Sequence, residues 1–486
     1  MNRRDFLAAL AVAAVAPRIA DAEPSPIAGS VGTAPIADRL ADYAWTLTYR
    51  DLDPATIEAA KAHLIDAIGC AISAFDEPVV RKCRNVAAST DGQATIIGAG
   101  LRTTAELATF SNGVAVRYYD LNDLYVGREP GHPSDNAAAC IAVAEAERAS
   151  AEDLLLAIVL AYEIDCRFLD AAELTARGWD HPIYSLPACA LAAGKLMGLD
   201  RAQLTQAVNL AVNGHLAMNQ TRVQQLSDWK GMADAEAARN AVFAARLARA
   251  GITGPAPVFE GRAGFFTLVS TPFTLDVDGF GGRRGRFRIN DCAIKPYPAQ
   301  GYTLTAIPAA IDVAKRVGDL RRIRAIEIST THLGYVTAGR DPEKWRPQTK
   351  ETADHSLPFI VVRAMLDGDI TNDSYTPAAI HDPAAQGLLR KTTVSEDATL
   401  TAMQPGAIPN RVTVVLDDGS RLSCQIDVLP GLSGQPVSRN EIERKFRSNV
   451  SKHWSSLQTR AALDVLWDLD KQARLDGLMQ LLEIRA

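Results

Sequence analysis

From Ile36 onward apolar residues recur at helical spacing, with Ile36, Leu40, Tyr43 and Leu47 on one face and Asp38, Arg39 and Asp42 between them. Asp53-Pro54 supplies a capping carboxylate and a proline suited to a first turn, predicting a helix that buries Ile57, Leu64, Ile68 and Ile72. Thr103-x-x-Glu106 reads as a capping box for a helix running into Asn112. Ala137–Glu147 is a small-residue helix suited to close packing. Ser150-x-x-Asp153 caps a further helix, Leu154–Phe168, which is apolar nearly all round and therefore predicted to be buried. Arg177–Pro182 interrupts the helices, and Pro187–Met197 resumes them until Gly198. An alanine-rich helix follows Met232.

After Gly251 glycines and prolines multiply and a period of two enters. A helix is predicted from about Thr303 to Val317, then a strand over Ile323–Thr331, where Ile326 and Ile328 alternate with polar residues. Val412–Leu416 and Leu422–Val428 flank Asp417-Asp418-Gly419 as the two arms of a β-hairpin. Helical patterning returns from Asn440. The expected fold is mainly α with an α+β part. A large helical domain (36–265) is rejoined by C-terminal helices (436–486), and a smaller α+β lid (266–435) is inserted between them.

The first residues change the picture of location. Arg3-Arg4, a short apolar run through Ala16 and Ala20-Asp21-Ala22 have the form of a twin-arginine signal peptide over 1–22, followed by a flexible lead-in over 23–35. This predicts export to the periplasm; a misassigned start codon would leave the protein in the cytoplasm. The run is too short to span a bilayer. With 51 basic and 57 acidic residues the formal charge is −6, and no long basic block is present, so nucleic acid is not an expected partner. Seven scattered cysteines form no C-x-x-C pair, which leaves zinc ribbons and local iron–sulfur motifs without support. No metal and no cofactor are expected.

Against this background Arg117–Asn136 stands out. It crowds Asp120, Asp123, Glu129, Arg117, Arg128, His132, Asn122 and Asn136 into one connection between helices. Polar groups at this density either face a wet cleft or satisfy one another, and a long connection between ordered elements favours the cleft. His181 lies in a polar break between two buried helices. Lys230 stands at a helix entrance, where the helix dipole favours an anion, so it is placed for an external anion. Lys295 precedes Pro296 and Pro298 and is expected on an extended segment. If these segments converge they form a pocket for a small polyanion. Carboxylates and imidazoles there can remove a proton α to a carboxylate while cations stabilise the enolate.

Asp120-Leu121-Asn122-Asp123 followed by Gly131-His132-Pro133-Ser134-Asp135-Asn136 resembles the signature of the MmgE/PrpD family. Trp229-Lys230-Gly231, Lys295-Pro296-Tyr297-Pro298-Ala299 and Glu351-Thr352-Ala353-Asp354-His355-Ser356-Leu357-Pro358 resemble further family blocks, in the family's order. The resemblance implies a large helical domain with a smaller α+β lid, a homodimer, and acid–base chemistry on a citrate-like tricarboxylate without an iron–sulfur cluster. It implies catalytic roles for Asp120, His132 and His181 and substrate binding by Asp123, Lys230 and Lys295, closest to the 2-methylcitrate dehydratase branch. Decarboxylation or epimerisation of a related polycarboxylate would use the same pocket. A periplasmic carboxylate-binding protein would need the lysines but not both histidines. Family members carry threonine where this chain has Leu124, and a leucine facing the pocket would favour a more alkylated acid.

Overall fold

The computed structural model describes residues 34–430 and 437–485. The expected signal peptide, with Arg3, Arg4 and Ala20-Asp21-Ala22, lies outside the described residues. Among the described residues nine helices run from Ile36 to Arg249: α1 (Ile36–Thr46), α2 (Pro54–Ser73), α3 (Pro78–Ala87), α4 (Ala105–Arg117), α5 (Ala137–Ala146), α6 (Ala151–Ala171), α7 (Pro182–Leu196), α8 (Arg201–Gly214) and α9 (Ala233–Arg249). Their starts follow from local chemistry. The Asp53 carboxylate accepts from the Thr56 amide at 3.0 Å ahead of Pro54, and Ser150 and Asp153 form a reciprocal capping box.

Two boundaries differ from expectation. The cap of α4 is Thr104, whose hydroxyl accepts from the Leu107 amide, because the Thr103 hydroxyl is turned to donate to the Ala87 carbonyl. Helix α7 starts at Pro182 and carries Pro187 inside it; Pro182 itself suits a first turn, so the break ends sooner than Pro187 suggests. Helix α7 packs against α6, α8 and α9, and α4 against α5 and α9. Small residues permit this closeness. A Cβ added to Gly113 of α4 would come within 2.9 Å of the Ala235 Cβ on α9.

Strands are also present before Gly251, contrary to the sequence pattern: β1 (Ala94–Ile96) pairs with β2 (Leu101–Thr103), and β3 (Tyr125–Val126) with β4 (Pro130–Gly131). Two or three residues are too few to display a period. The main sheet has the order β6-β5-β7-β8, from β5 (Ile323–Thr330), β6 (Thr392–Glu396), β7 (Asn410–Leu416) and β8 (Arg421–Ile426). Strand β6 runs parallel to β5, and β7–β8 is the predicted hairpin, with Gly419 at φ +81° in its turn. The helix Ala306–Val317 packs on β7 and β8 and on the helix Leu357–Asp367.

Buried apolar residues fall into two large cores. The first runs from Ile36 through Ile294 and is completed by Ile442, Phe446 and Trp467 of two C-terminal helices packed on α2 and by Trp454 between them. The second runs from Ala293 through Leu429. Residues expected in the smaller part, among them Leu275, Val277, Phe280 and Phe287, join the first core, so the handover falls at 293–294 rather than 265–266. No described helix is long and apolar enough to cross a membrane.

Candidate active site

The chain crosses between the two cores at the stretch singled out above. Leu121 and Tyr125 belong to the first core and Leu124 to the second, while Ala293 belongs to the second and Ile294 to the first. The two crossings are stitched together by reciprocal Leu124–Ala293 backbone bonds, both 2.8 Å. Asp120, Asp123 and Lys295 therefore lie at one seam. Leu124 turns its side chain away from the polar groups: added atoms on Gly301 would meet it at 3.0 Å, and it packs in the second core. Of the two placements open to it from the sequence, facing the pocket or packed within the loop, this is the second.

Asp120 is the hub. Its φ of +53° is uncommon for a residue other than glycine, a strain on the order of 1–3 kcal/mol that aspartate tolerates better than most. The turn folds its carboxylate back onto Arg117 in the last turn of α4, with which it forms an ion pair. Lys230 Nζ stands 3.5 Å from Oδ1, and Lys295 Nζ stands 3.2 Å from Oδ2 while donating to the Asp120 carbonyl at 2.5 Å. His132 Nε2 is 3.8 Å from Oδ1 and His355 Nε2 is 4.0 Å from Oδ2. Burial works to neutralise this carboxyl, but Arg117, Lys230, Lys295 and His355 outweigh it and hold the pKa well below the usual range. Both lysines are fully buried. Burial lowers the Lys295 pKa against the pull of Asp120, and brings Lys230 down to about 7 despite Asp120 and Asp354.

Each imidazole is fixed from behind. His132 Nδ1 lies 2.6 Å from the Asp123 carbonyl, which can only accept, so the proton sits on Nδ1 and the Nε2 lone pair faces Asp120. Burial, then Arg117 and Lys295, hold the His132 pKa well below that of ordinary imidazole. His181, just ahead of α7, places Nδ1 3.2 Å from Asp234 Oδ1, and its ring meets His132 edge-on with centroids 5.6 Å apart. Its pKa is lowered by burial and by Arg222 against Asp234 and Asp180. His355 Nδ1 bonds Asp354 at 2.5 Å; burial and Lys230 bring its pKa down to about 3. All three rings rest neutral.

Around them stand orienting groups. Arg222 bonds both Asp180 oxygens at 3.1 and 2.9 Å, Asp234 at 3.1 Å and the Lys230 carbonyl at 3.0 Å. The Asp123 carboxylate accepts from the Ser134 amide (3.0 Å) and hydroxyl (2.6 Å) and lies 3.0 Å from His63 Nδ1. It is thus engaged by the protein on both oxygens. Asp135, beside Asp234 and bonded by Asn122, is raised well above the carboxylate range by burial and by that neighbour.

The structure thus brings Asp120, His132, His181, Lys230 and Lys295 together, with Asp123 behind His132. Apart from Arg128, which is exposed and paired with Glu173, the charged and amide groups of the central stretch are buried or nearly so and engage one another and neighbouring elements instead of lining an open cleft. Lys230 is turned inward to Asp120, and its ammonium has no hydrogen-bond partner among the described residues. Sequence reasoning missed His355 and Asp354, although both lie in a quoted block, and Asp180, next to His181. His63, Arg222 and Asp234 carry no such signal, since on helix or loop they read as ordinary buried or surface residues. Among the described residues no three His, Cys, Asp or Glu side chains converge as a metal site.

A mainly helical fold with a buried acid–base centre at the seam of two cores defines an enzyme class. The chain belongs to the MmgE/PrpD family: the MmgE/PrpD N-terminal domain matches residues 38–278 and the MmgE/PrpD C-terminal domain residues 297–471. It is similar to 2-methylcitrate dehydratase-like protein oryR of Aspergillus oryzae, at 27% identity over 89% of this chain and 92% of the relative. It is also similar to 2-methylcitrate dehydratase of Cupriavidus necator (26%; 87% and 90%) and to cis-aconitate decarboxylase-like protein oryM of Aspergillus oryzae (24%; 92% and 97%). At the level of the family the role is that of a dehydratase or related lyase.

Proposed function

We propose that this enzyme dehydrates a citrate-like hydroxy-tricarboxylate, with 2-methylcitrate the first candidate in view of the names its relatives carry. The reading rests on one observation: a neutral His132, its tautomer locked by the Asp123 carbonyl, directs a free Nε2 lone pair at a carboxylate pinned by three cations. In this reading His132 takes the proton α to a carboxylate, and the imidazolium formed is stabilised by Asp120 at 3.8 Å. Lys230, the least tightly held cation, turns to the substrate and stabilises the enolate dianion together with Lys295. The C–H electron pair becomes the double bond as the β-hydroxyl leaves. His181, beside Asp234 and Asp180, takes up a proton as the polyanionic substrate enters, and this imidazolium delivers the proton that turns the departing hydroxide into water, returning to the neutral ring. Asp123 acts through His132 and His63 rather than on substrate.

Purified protein mixed with 2-methylcitrate or citrate is expected to give the unsaturated acid by proton NMR. His132→Ala and His181→Ala are each expected to lower kcat by about 10²- to 10⁴-fold. Carbon dioxide release without loss of water, or solvent deuterium entering with inversion, would replace dehydration by decarboxylation or epimerisation. A homodimeric state and twin-arginine export belong to the same proposal. Light scattering reads the first, and fractionation of cells carrying Arg3→Lys with Arg4→Lys reads the second.

A further inference from the structure

His355 is the imidazole that the mechanism above leaves unused, and the short helix before it, Lys350–Ala353, supplies a lysine that holds it in place. Ala353 and Leu357 on either side pack in the second core. Asp354 is bound at each of its oxygens. Its Oδ1 faces His355 Nδ1 at 2.5 Å, its Oδ2 accepts from Lys350 Nζ at 2.8 Å, and its carbonyl accepts from the Gln300 amide at 2.9 Å. The same ammonium also donates across the seam, to the carbonyl of Tyr118, which caps α4. It stands 4.5 Å from the centroid of the Tyr118 ring and 5.5 Å from that of Tyr119, and both rings belong to the first core. The lysine side chain is 13% exposed, so these groups, more than water, balance its charge.

Burial works to neutralise Asp354, but Lys230, Lys350 and His355 outweigh it and hold the carboxyl ionised. An ionised carboxylate can only accept, so the His355 proton sits on Nδ1 and the Nε2 lone pair faces Asp120 Oδ2 at 4.0 Å. His132 stands in the same relation to Oδ1. Arg117, Lys230 and Lys295 pin that carboxylate, so its place is fixed and it is the place of the second ring that needs support. Lys350 gives that support from both ends: it grips the partner of His355 on one side and, on the other, the main chain two residues ahead of Asp120. We propose that Lys350 is a positioning residue for the reaction, joining Asp354 to the Tyr118 carbonyl and so keeping His355 Nε2 bare and turned to the hub. Lys350 itself transfers no proton. Lys230 and Lys344 act on Asp354 only through their charge, since neither ammonium has a hydrogen-bond partner among the described residues, and they cannot take over this tether.

The kinetic half of the test rests on the hydroxy-acid reading above; the spectroscopic half does not. In substrate-free protein carrying isotope-labelled histidine, long-range proton–nitrogen NMR reads the tautomer of each ring, and His355 is identified by the signals lost in His355→Gln. Wild type and Lys350→Arg are expected to carry the His355 proton on Nδ1 with Nε2 bare. Lys350→Met keeps the stem but frees Asp354 to turn, and is expected to average both tautomers. On the hydroxy acid that wild type turns over, Lys350→Met is expected to lose on the order of 10²-fold in kcat with KM nearly unchanged, and Lys350→Arg to recover most of it. His355→Gln is expected to lose at least as much, and adding Lys350→Met to it to cost nothing further, because the lysine acts through a ring already removed. A fixed Nδ1 tautomer in Lys350→Met, or losses that multiply in the double variant, overturns the assignment. If wild type turns over no hydroxy acid, the hydroxy-acid reading fails, and the tautomer measurement still decides the role of Lys350.

Discussion

Lys230 shows how much a single buried charge can report. Burial, Arg117 and Lys350 disfavour its ammonium, Asp120 and Asp354 favour it, and the balance leaves a pKa of about 7 instead of 10.5. Two consequences follow with definite sign. Between those values the unfolded chain holds the proton and the folded chain does not. The stability contribution of Lys230 is therefore fully present above 10.5 and is lost as pH falls through about 7. Binding of a polycarboxylate needs the cation, so kcat/KM is expected to decline as pH rises through about 7, and Lys230→Arg is expected to abolish that limb. A profile that stays level through neutrality in the wild type would show that Lys230 is not the binding cation. This charge was legible as a lysine out of place at a helix entrance. What the sequence hid was its partner, because Asp120 lies 110 positions away and the turn that delivers it depends on a positive φ.

At the scale of elements, legibility followed length and period. Helices α2 and α6, with caps and twenty or so residues, were readable at their starts and along their buried faces, and so was the β7–β8 hairpin with its Asp-Asp-Gly turn; α6 runs on to Ala171, past the Phe168 expected. The pairs β1–β2 and β3–β4 were not, since their formation depends on what they are pressed against. Strand β6 is likewise short and mostly solvent-facing, and it pairs in parallel with a strand over sixty residues earlier. The central connection was recognised for its polar density, yet the structure folds it inward, where its acids meet bases that come from other elements. Leu124 is the instructive residue in it. Its backbone bridges Ala293 and its side chain packs on Gly301, so its loss is expected to be structural. Leu124→Ala should lower stability by about 2–5 kcal/mol in urea unfolding. Leu124→Thr should leave the ratio of kcat/KM between more and less alkylated acids unchanged; a shifted ratio would return this side chain to the pocket.

For the whole molecule, the change of pattern after Gly251 does not mark where the two apolar cores meet. Residues 266–292 carry the glycines and prolines of the second style and yet pack into the first core, because Phe280 and Phe287 find their apolar neighbours there. The seam itself is of another material than the bodies it joins: carboxylates, lysines and imidazoles drawn from both sides. Asp120→Asn would leave Arg117, Lys230 and Lys295 buried without their common counter-charge, a loss on the order of 3–5 kcal/mol concentrated at the seam. Scanning calorimetry is expected to show one heat-absorption peak for the wild type and two for Asp120→Asn, drawn together again by a tricarboxylate that supplies the missing negative charge. A single peak in the variant would mean that the cores are coupled by something other than this seam. Two peaks in the variant would make the ion cage a clasp between the two cores, and a ligand that replaces its central charge would become, for as long as it is bound, a structural part of the protein.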